Sequence, residues 1–395
     1  MRYGILKGLR ILDFTRVLAG PYATRILADF GAEVIKIQSR KTEGETDNNI
    51  GSYYNHWNRG KRSITLDLSY REAREIVLLL TSACDVVIEN FSPRVMSNWG
   101  LDYEKLKAVR SDIIMVSMSG MGQTGPWKDY VAFGSTIQSL GGLTYLTSYD
   151  RETPMGLGYS HADLISGLYG ALAVLTAWEY RERTGKGQHI DVSEYEAICT
   201  SIAPIFLDIL VNKQEVVPDA NPSGYDEAAP YGCYQCSGED RWCVIAVFNE
   251  KEWKALCKAM GKPRWIKDER FNSLSKRKKY KKELDQFIAQ WTSTHKSEKA
   301  VQLLQNAGVA AGVVQNAEDL ANDPHLSARD FFIHSEYPVS GNTISERSPI
   351  RMGRTTTVSW KRAPLLGEDN HYIFKKLLGF TDYKISSYIK RGIIG

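Results

Sequence analysis

The chain has 395 residues, with 50 Lys and Arg against 46 Asp and Glu, 43% hydrophobic residues and a formal net charge of +4. That length and apolar content support a proper core in two domains or one elaborated one, and they exclude disordered and collagen-like classes. The near balance of charge leaves no footprint of a nucleic-acid binder, so an anionic ligand must be met by local contacts.

In chain order, the apolar run from Leu9 to Phe14 reads as a buried strand, Gly20-Pro21 opens a helix, Gly31 stops it, and Glu33 to Ile37 forms a second strand. This is a βαβ unit. Further strands are expected at Ser63–Leu68, Asp85–Glu89 and Asp112–Ser117, with a helix over Tyr70–Thr81. Such alternation implies α/β architecture with a parallel sheet covered on both faces, and ligands at the carboxyl ends of its strands. From Asp163 to Arg183 the spacing predicts a helix with Leu164, Ile165, Leu168, Leu172, Leu175 and Trp178 on related faces, and with Gly167 and Gly170 allowing close packing. A strand over Gln188–Ser193 follows.

The stretch Val216–Pro230 is rich in Pro, Asn, Gly and Asp and reads as a linker, which bounds a first domain at 1–215. Alternation over Tyr231–Phe248 and a helix capped by Asn249 and stopped by Gly261 indicate a smaller α/β domain at 225–330. The remainder, 331–395, includes Ala363–Asp369 and an amphipathic helix over Tyr372–Leu378. The longest apolar stretches, around Leu168–Trp178, fall short of the ~20 residues that span a bilayer. Met1–Lys7 has no continuous apolar core or cleavage pattern, so no signal peptide is expected. Cys84, Cys199, Cys233, Cys236, Cys243 and Cys257 are too sparse for a disulfide scaffold and fit a reducing, cytoplasmic compartment.

Gly120-Met-Gly-Gln-Thr-Gly125 satisfies G-x-G-x-x-G, but Pro126-Trp-Lys-Asp129 follows where a pyrophosphate-capping helix would run on, and the motif comes late among the strands. A glycine loop that lets some other ligand approach the backbone is the better reading. Gly60-Lys61 lacks the rest of a P-loop. Cys233 and Cys236 are spaced C-x-x-C on a strand, where i and i+3 face opposite ways, so two buried cysteines are favoured over zinc. The run Lys276–Lys279 reads as a solvated helix face. Asp163 stands at the start of the long helix after Gly156–His161. Two readings remain: an N-cap, or an ionised, partly dehydrated carboxylate favoured by the helix dipole and able to act as a nucleophile.

Several ordered motifs resemble the class III CoA-transferase family, which includes formyl-CoA transferase, carnitine CoA-transferase and α-methylacyl-CoA racemase. They are Leu12-Asp-Phe-Thr-Arg-Val-Leu-Ala-Gly-Pro21, Asp29–Lys36, Asn58-Arg-Gly-Lys-Arg-Ser63, Glu89-Asn-Phe-Ser-Pro93, Ser119–Pro126, Asp163 with its helix, Arg183–Gln188, Asp323–Leu326 and Ala363–Gly367. The resemblance runs the whole length. It implies a Rossmann-like large domain and a smaller α/β domain, with the C-terminal segment returning to the large one and two open rings interlocking as a dimer. It also implies that Asp163 is the catalytic aspartate, which attacks an acyl-CoA thioester to give an anhydride and then an aspartyl-CoA thioester. Neither a metal nor a tightly bound cofactor is implied; the CoA thioester is a substrate.

By the same resemblance the CoA contacts fall at Val17, Ser39, Arg40, Leu66, Leu68, Asn90, Phe91, Ser92, Trp99, Lys128 and Tyr130. An arginine often found at the Ser39 position appears one residue later, and one near Asn98 is absent, so Arg40, Arg59 or Arg94 are the expected substitutes for phosphate binding. The histidine base of the racemase branch has no counterpart: Phe133 aligns with it, and no His lies between Gly120 and Tyr159. Transfer is therefore favoured over the racemase alternative. Of the glycine tetrad of formyl-CoA transferase only Pro222-Ser-Gly224 remains, which disfavours oxalate. Tyr159–Asp163 and Thr136–Leu143 look most like transferases that act on succinyl-CoA and an aromatic succinate such as benzylsuccinate. Retention of Asp163 implies a competent subunit, either in a homodimer or beside a paralogous structural partner, with no nucleic acid or membrane partner.

Overall fold

The computed structural model describes residues 4–42, 51–213, 218, 227–338, 341–355 and 361–395. Most of the expected linker, including Pro222-Ser-Gly224, lies outside these residues. The described chain divides into two compact units, one of 1–217 with 328–395 and one of 218–327.

The larger unit is built on six parallel strands: β1 (Arg10–Asp13), β2 (Glu33–Gln38), β3 (Arg62–Thr65), β4 (Val86–Glu89), β5 (Ile114–Ser119) and β6 (His189–Ser193). Their order, β3-β2-β1-β4-β5-β6, reverses direction of growth between β1 and β4, the arrangement of doubly wound nucleotide-binding sheets. β4 and β5 are buried along their whole length because both faces are covered there, whereas the edge strand β6 alternates between exposed and partly buried residues. Ile11 joins one core with Val34, Val86 and Ile114, while its neighbour Leu12 joins the other with Ile35, Val87 and Met115. The first core is closed by α1 (Ala19–Asp29) and the helix His161–Thr184; the second by Arg71–Ser82 and by Ile373, Phe374, Ile385, Ile393 and Ile394 of the C-terminal segment. Thus the tail from Ala363 onward forms one lid of the sheet.

The strands after the second βαβ unit begin one or two residues later than expected for β4 and β5, and β3 ends at Thr65 rather than Leu68. Leu66 to Ser69 instead form a turn at its carboxyl end, with Leu66 and Leu68 still buried as apolar side chains. The long helix departs from expectation in its orientation. Its glycine side is inward, since a Cβ on Gly167 would lie 2.8 Å from the Ala19 carbonyl oxygen and one on Gly170 2.5 Å from the Met118 Sδ. Leu168, Leu172 and Leu175 are consequently exposed. Only small residues allow α1 and the sheet to approach this helix so closely, so the bulkier face is turned away.

The smaller unit has an antiparallel sheet of Tyr231–Gln235, Trp242–Ala246 and Ala310–Val314, packed on helices that include Glu250–Ala259 and Lys281–Thr292. Asn249 caps the first of these helices by accepting from the Glu252 amide, at 3.0 Å. Of the C-x-x-C pair only Cys236 is buried; Cys233 is half-buried, a correction that follows from its place on a face the helices do not cover. No cluster of metal-ligating side chains occurs among the described residues.

Candidate active site

Asp163 is the third residue of the helix His161–Thr184, which we call α2, and Ser160 holds the N-cap position. Asp163 is therefore not the cap. Nor does the Ser160 side chain cap the helix: its hydroxyl donates to Asp163 Oδ2. The orphan amides of the first turn are met from elsewhere, because Gln138 Oε1 accepts from the His161 amide at 2.5 Å and the Ala162 amide at 3.3 Å. Asp163 is 9% exposed and also receives the backbone N–H of Ala19, the first residue of α1. Two helix N-termini converge on one carboxylate.

Burial raises the pKa of Asp163, while the Ser160 hydroxyl and the Ala19 amide act the other way. No cation pairs with it among the described residues. A second carboxyl, Glu194, opens the helix Glu194–Ser201 directly after β6 and is 6% exposed. Burial first, and the Asp163 charge second, push its pKa up to about 8, so it is neutral at pH 7. Gly134 closes the far side of the site: a Cβ there would stand 1.9 Å from Asp163 Oδ2 and 1.7 Å from Ser160 Oγ. A weakly solvated carboxylate held by neutral donors, with no cation to quench it, is suited to nucleophilic attack.

The position of α1 is itself enforced. Asp13, at the end of β1, is fully buried and accepts from the Thr15 amide (2.8 Å), the Thr15 hydroxyl (2.6 Å), the Thr24 hydroxyl (2.7 Å) and Lys61 Nζ (3.1 Å). Lys61 further donates to the Pro21 carbonyl and to Asn58 Oδ1, at 3.1 and 2.9 Å. The turn and the helix are thus tied to one buried ion pair. Between them Val17 has φ 64°, a left-handed conformation that costs a β-branched residue energy. Asn90, just after β4, holds it in place by accepting from the Arg16 amide at 2.8 Å and donating to the Arg16 carbonyl at 2.9 Å.

A cavity of about 370 Å³ opens at the carboxyl ends of β1, β2, β3 and β4, where doubly wound sheets bind ligands. Ser39, Leu66, Leu68, Phe91 and Trp99 line it, with Phe14, Arg16, Lys36 and Lys41. Phe91 and Trp99 meet edge to face at 5.4 Å, giving the wall an apolar, aromatic surface. Val17 and Asn90 build the adjoining turn rather than the wall. Arg40 is exposed on a short 3₁₀ turn (Arg40–Thr42), and its side chain runs close to Gly395. Ser92 is exposed next to Phe91, and Lys128 and Tyr130 lie on an exposed segment after β5, with Tyr130 stacked on Trp127 at 5.6 Å. None of these last four lines the cavity.

Two of the suggested phosphate-binding substitutes are engaged elsewhere. Arg59 is buried against Asp29 at 2.8 Å and Glu346 at 3.2 Å, and Arg94 pairs with Asp129 at 3.0 Å. The basic groups on the cavity wall are Arg16, Lys36 and Lys41; Lys36 is buried and donates to the Thr15 carbonyl at 2.5 Å, and Lys41 pairs with Asp67 at 2.6 Å. The glycine motif forms a loop: Gly122 and Gly125 have φ 85° and 87°, and the next helix begins only at Gly134. The Gln123 amide is taken by the Asp191 carboxylate, at 2.9 Å, which places an anion where a pyrophosphate would need to sit.

The sequence pattern of CoA-transferase family III matches residues 6–370. The chain belongs to CoA-transferase family III. As a CoA-transferase it acts on CoA thioesters, and similar proteins bear this out. The succinyl-CoA–D-citramalate CoA-transferase of Chloroflexus aurantiacus is 32% identical over 95% of this chain and 95% of its own length. The alpha subunit of the succinyl-CoA–L-malate CoA-transferase of the same organism is 31% identical over 98% and 92%. A crystal structure of a CAIB/BAIF family protein from Brucella suis superposes with a TM-score of 0.87 at 32% identity, covering 95% of this chain and all of that one. No helix among the described residues of this CoA-transferase is long and apolar enough to cross a membrane.

Asp13, Lys61, Gln138 and Glu194 are supporting residues for which sequence reasoning assigned no role. Asp13 and Lys61 stand inside two of the family motifs, and their burial is the missing signal. Gln138 and Glu194 carry no local signal, because what makes them matter is the approach of α2.

Proposed function

We propose that this CoA-transferase takes CoA from succinyl-CoA and delivers it to a dicarboxylic acid, with an aromatic succinate such as benzylsuccinate as the acceptor class. The single observation that supports the mechanism is the buried Asp163 carboxylate, held by the Ser160 hydroxyl and the Ala19 amide with no pairing cation among the described residues. Asp163 attacks the thioester carbonyl; the C–S bond breaks, leaving an acyl-aspartyl anhydride and CoA thiolate. The thiolate attacks the aspartyl carbonyl, succinate leaves, and an aspartyl-CoA thioester remains. The acceptor carboxylate repeats these steps in reverse. Thioester energy is conserved throughout.

CoA would lie with its apolar and aromatic parts on Leu66, Leu68, Phe91 and Trp99 and its phosphates near Arg16, Lys36 and Lys41, the basic groups of the cavity. Ser39, Val17 and Asn90 shape that end of the site, while Arg40, Ser92, Lys128 and Tyr130 would act at its rim. The donor choice rests on the succinyl-CoA in the names of both relatives cited above. A homodimer in the cytoplasm is the assembly proposed. In its support, Leu168, Leu172 and Leu175 of α2, Phe206, Leu207 and Leu210 of the helix Ala203–Leu210, and Val211 just after it are exposed large apolar side chains. The L-malate relative is one subunit of its enzyme, which keeps a heteromer as the second assembly.

Hydroxylamine added during turnover with succinyl-CoA should convert Asp163 to its hydroxamate, read by peptide mass spectrometry; an unmodified Asp163 in a turning-over sample would sink covalent catalysis. An acceptor screen over malate, citramalate, mesaconate, glutarate and benzylsuccinate, read as new CoA esters, tests the acceptor class. Light scattering of the purified chain decides between homodimer and orphan subunit.

A further inference from the structure

Along the seam where α1 packs on α2, three levels follow one another. The Ala19 amide meets Asp163; one turn on, Tyr22 packs on Gly167, four residues beyond Asp163 on the same face of α2; one turn further stands Arg25. Ala19 and Arg25 are six residues apart, about 9 Å along the helix axis. Helical side chains lean toward the N-terminus, and the Arg25 guanidinium does lie back over the Tyr22 ring, 4.9 Å from its centroid and 5.0 Å from that of Trp57. It therefore reaches toward the nucleophile.

Arg25 is 6% exposed, yet its donors are only half used. Nη1 meets Glu346 at 2.6 Å and the His56 carbonyl at 3.3 Å. Nε is buried with no hydrogen-bond partner, and the polar contacts of the side chain run through Nη1. The Nε–Nη2 edge is the side of a guanidinium that grips a carboxylate with two parallel bonds. Glu346 is shared with Arg59, which has Asp29 to itself at 2.8 Å, so the pair of arginines is not over-supplied with anions at the Arg25 end. Tyr159 is half-exposed, and burial together with the charges of Glu346 and Asp163 raises its pKa while Arg25 lowers it.

We propose that Arg25 is the specificity-determining residue of this transferase: its open Nε–Nη2 edge binds the distal carboxylate of a dicarboxylic acyl group whose proximal carbonyl is presented to Asp163. The carboxyl carbons of a four-carbon diacid lie roughly 4 Å apart at ~1.5 Å per bond, which is the spacing the assignment requires between the reacting carbonyl and the carboxylate held by Arg25. Tyr22, Trp57 and Tyr159 would enclose the carbon chain and exclude water, which strengthens the charged contact. This assignment rests on the proposed succinyl-CoA donor and adds the group that would tell it from a monocarboxylic acyl-CoA.

The test uses isotope exchange, which needs no identified acceptor: succinyl-CoA with ¹³C-succinate, and in parallel butyryl-CoA with ¹³C-butyrate, read by mass spectrometry of the CoA ester. The unmodified chain should exchange the succinyl group at least ~10-fold faster. Arg25→Gln should lower kcat/KM for succinyl exchange about 100-fold while leaving butyryl exchange within about 3-fold, and Arg25→Lys, which keeps the charge but not the fork, about 10-fold. Equal losses on both donors in either variant, or no loss, would overturn the assignment alone and mark Arg25–Glu346 as a structural pair. Should a variant fail to fold, the donor preference of the unmodified chain still decides: exchange of butyryl as fast as succinyl rejects the assignment. Exchange of neither donor would overturn the succinyl-CoA reading and this assignment with it.

Discussion

Asp13 and Asp163 are both buried aspartates of the larger unit, on either side of α1, yet their surroundings push them in opposite directions. Asp13 meets the Lys61 ammonium, two hydroxyls and a backbone amide, and despite full burial its pKa falls below the ordinary range. Asp163 meets one hydroxyl and two backbone amides, that of Ala19 and its own, with no cation paired to it among the described residues, and burial raises its pKa. The difference is one of satisfaction. A carboxylate whose lone pairs are taken and whose charge is cancelled is inert and holds the fold, whereas one that is desolvated and only partly bonded keeps its nucleophilicity. The first also serves the second, because the Asp13 network sets the α1 turn whose first amide reaches Asp163.

The contrast can be broken from either side. Asp163→Ala should lower kcat for CoA transfer by at least about 10⁴-fold while the unfolding midpoint stays within experimental error; activity above a hundredth of the original would remove the nucleophile from the mechanism. Asp13→Ala removes the carboxylate paired with buried Lys61, leaving it the neutral Pro21 carbonyl and Asn58 Oδ1 as acceptors, and should cost about 3–5 kcal/mol in urea unfolding. A loss under about 1 kcal/mol would show that Asp13 is not the anchor of the turn. Gly134→Ala introduces a methyl group against Asp163 Oδ2, so displacement of the carboxylate should reduce kcat about 100-fold with a smaller effect on KM.

Glu194 provides the finest test. Its pKa is raised in the folded chain to about 8 from 4.5, so its contribution to stability is complete below pH 4.5 and is lost as pH rises through 8. Glu194→Gln cannot ionise and should be more stable than the unmodified chain at pH 9, with the difference gone by pH 4.5. Because Glu194 is already neutral in the acid range, the acid limb of the kcat/KM profile that reports Asp163 should stay where it is. Parallel stability curves for the two proteins between pH 5 and 9 would place Glu194 outside the coupled pair.

Much of the fold is legible in the sequence. The run Leu9 to Ile37 shows apolar strands with a Gly-Pro helix start and a glycine stop, and the observed β1, α1 and β2 follow those marks because strand burial and helix termination are local properties. Boundaries slip where a local rule meets a tertiary one: Leu66 and Leu68 look like strand residues because they are buried, but they are buried from a turn. At the site, Asp163 is visible as an acidic residue beginning a helix. Its not being the cap is invisible, since Gln138 supplies the capping oxygen from 23 residues away.

The sequence by itself determined the α/β class, the doubly wound character and, through motifs spread from Leu12 to Gly367, membership of the family. These depend on apolar periodicity, on Gly and Pro placement and on the order of short segments, all of which are written along the chain. Only the tertiary structure decided which buried carboxylate has no cation paired to it among the described residues, which face of α2 is hidden, and which arginines are occupied. Desolvation and hydrogen-bond satisfaction are sums over neighbours brought from distant parts of the chain: Lys61 beside Asp13, Ala19 beside Asp163, Glu346 beside Arg25.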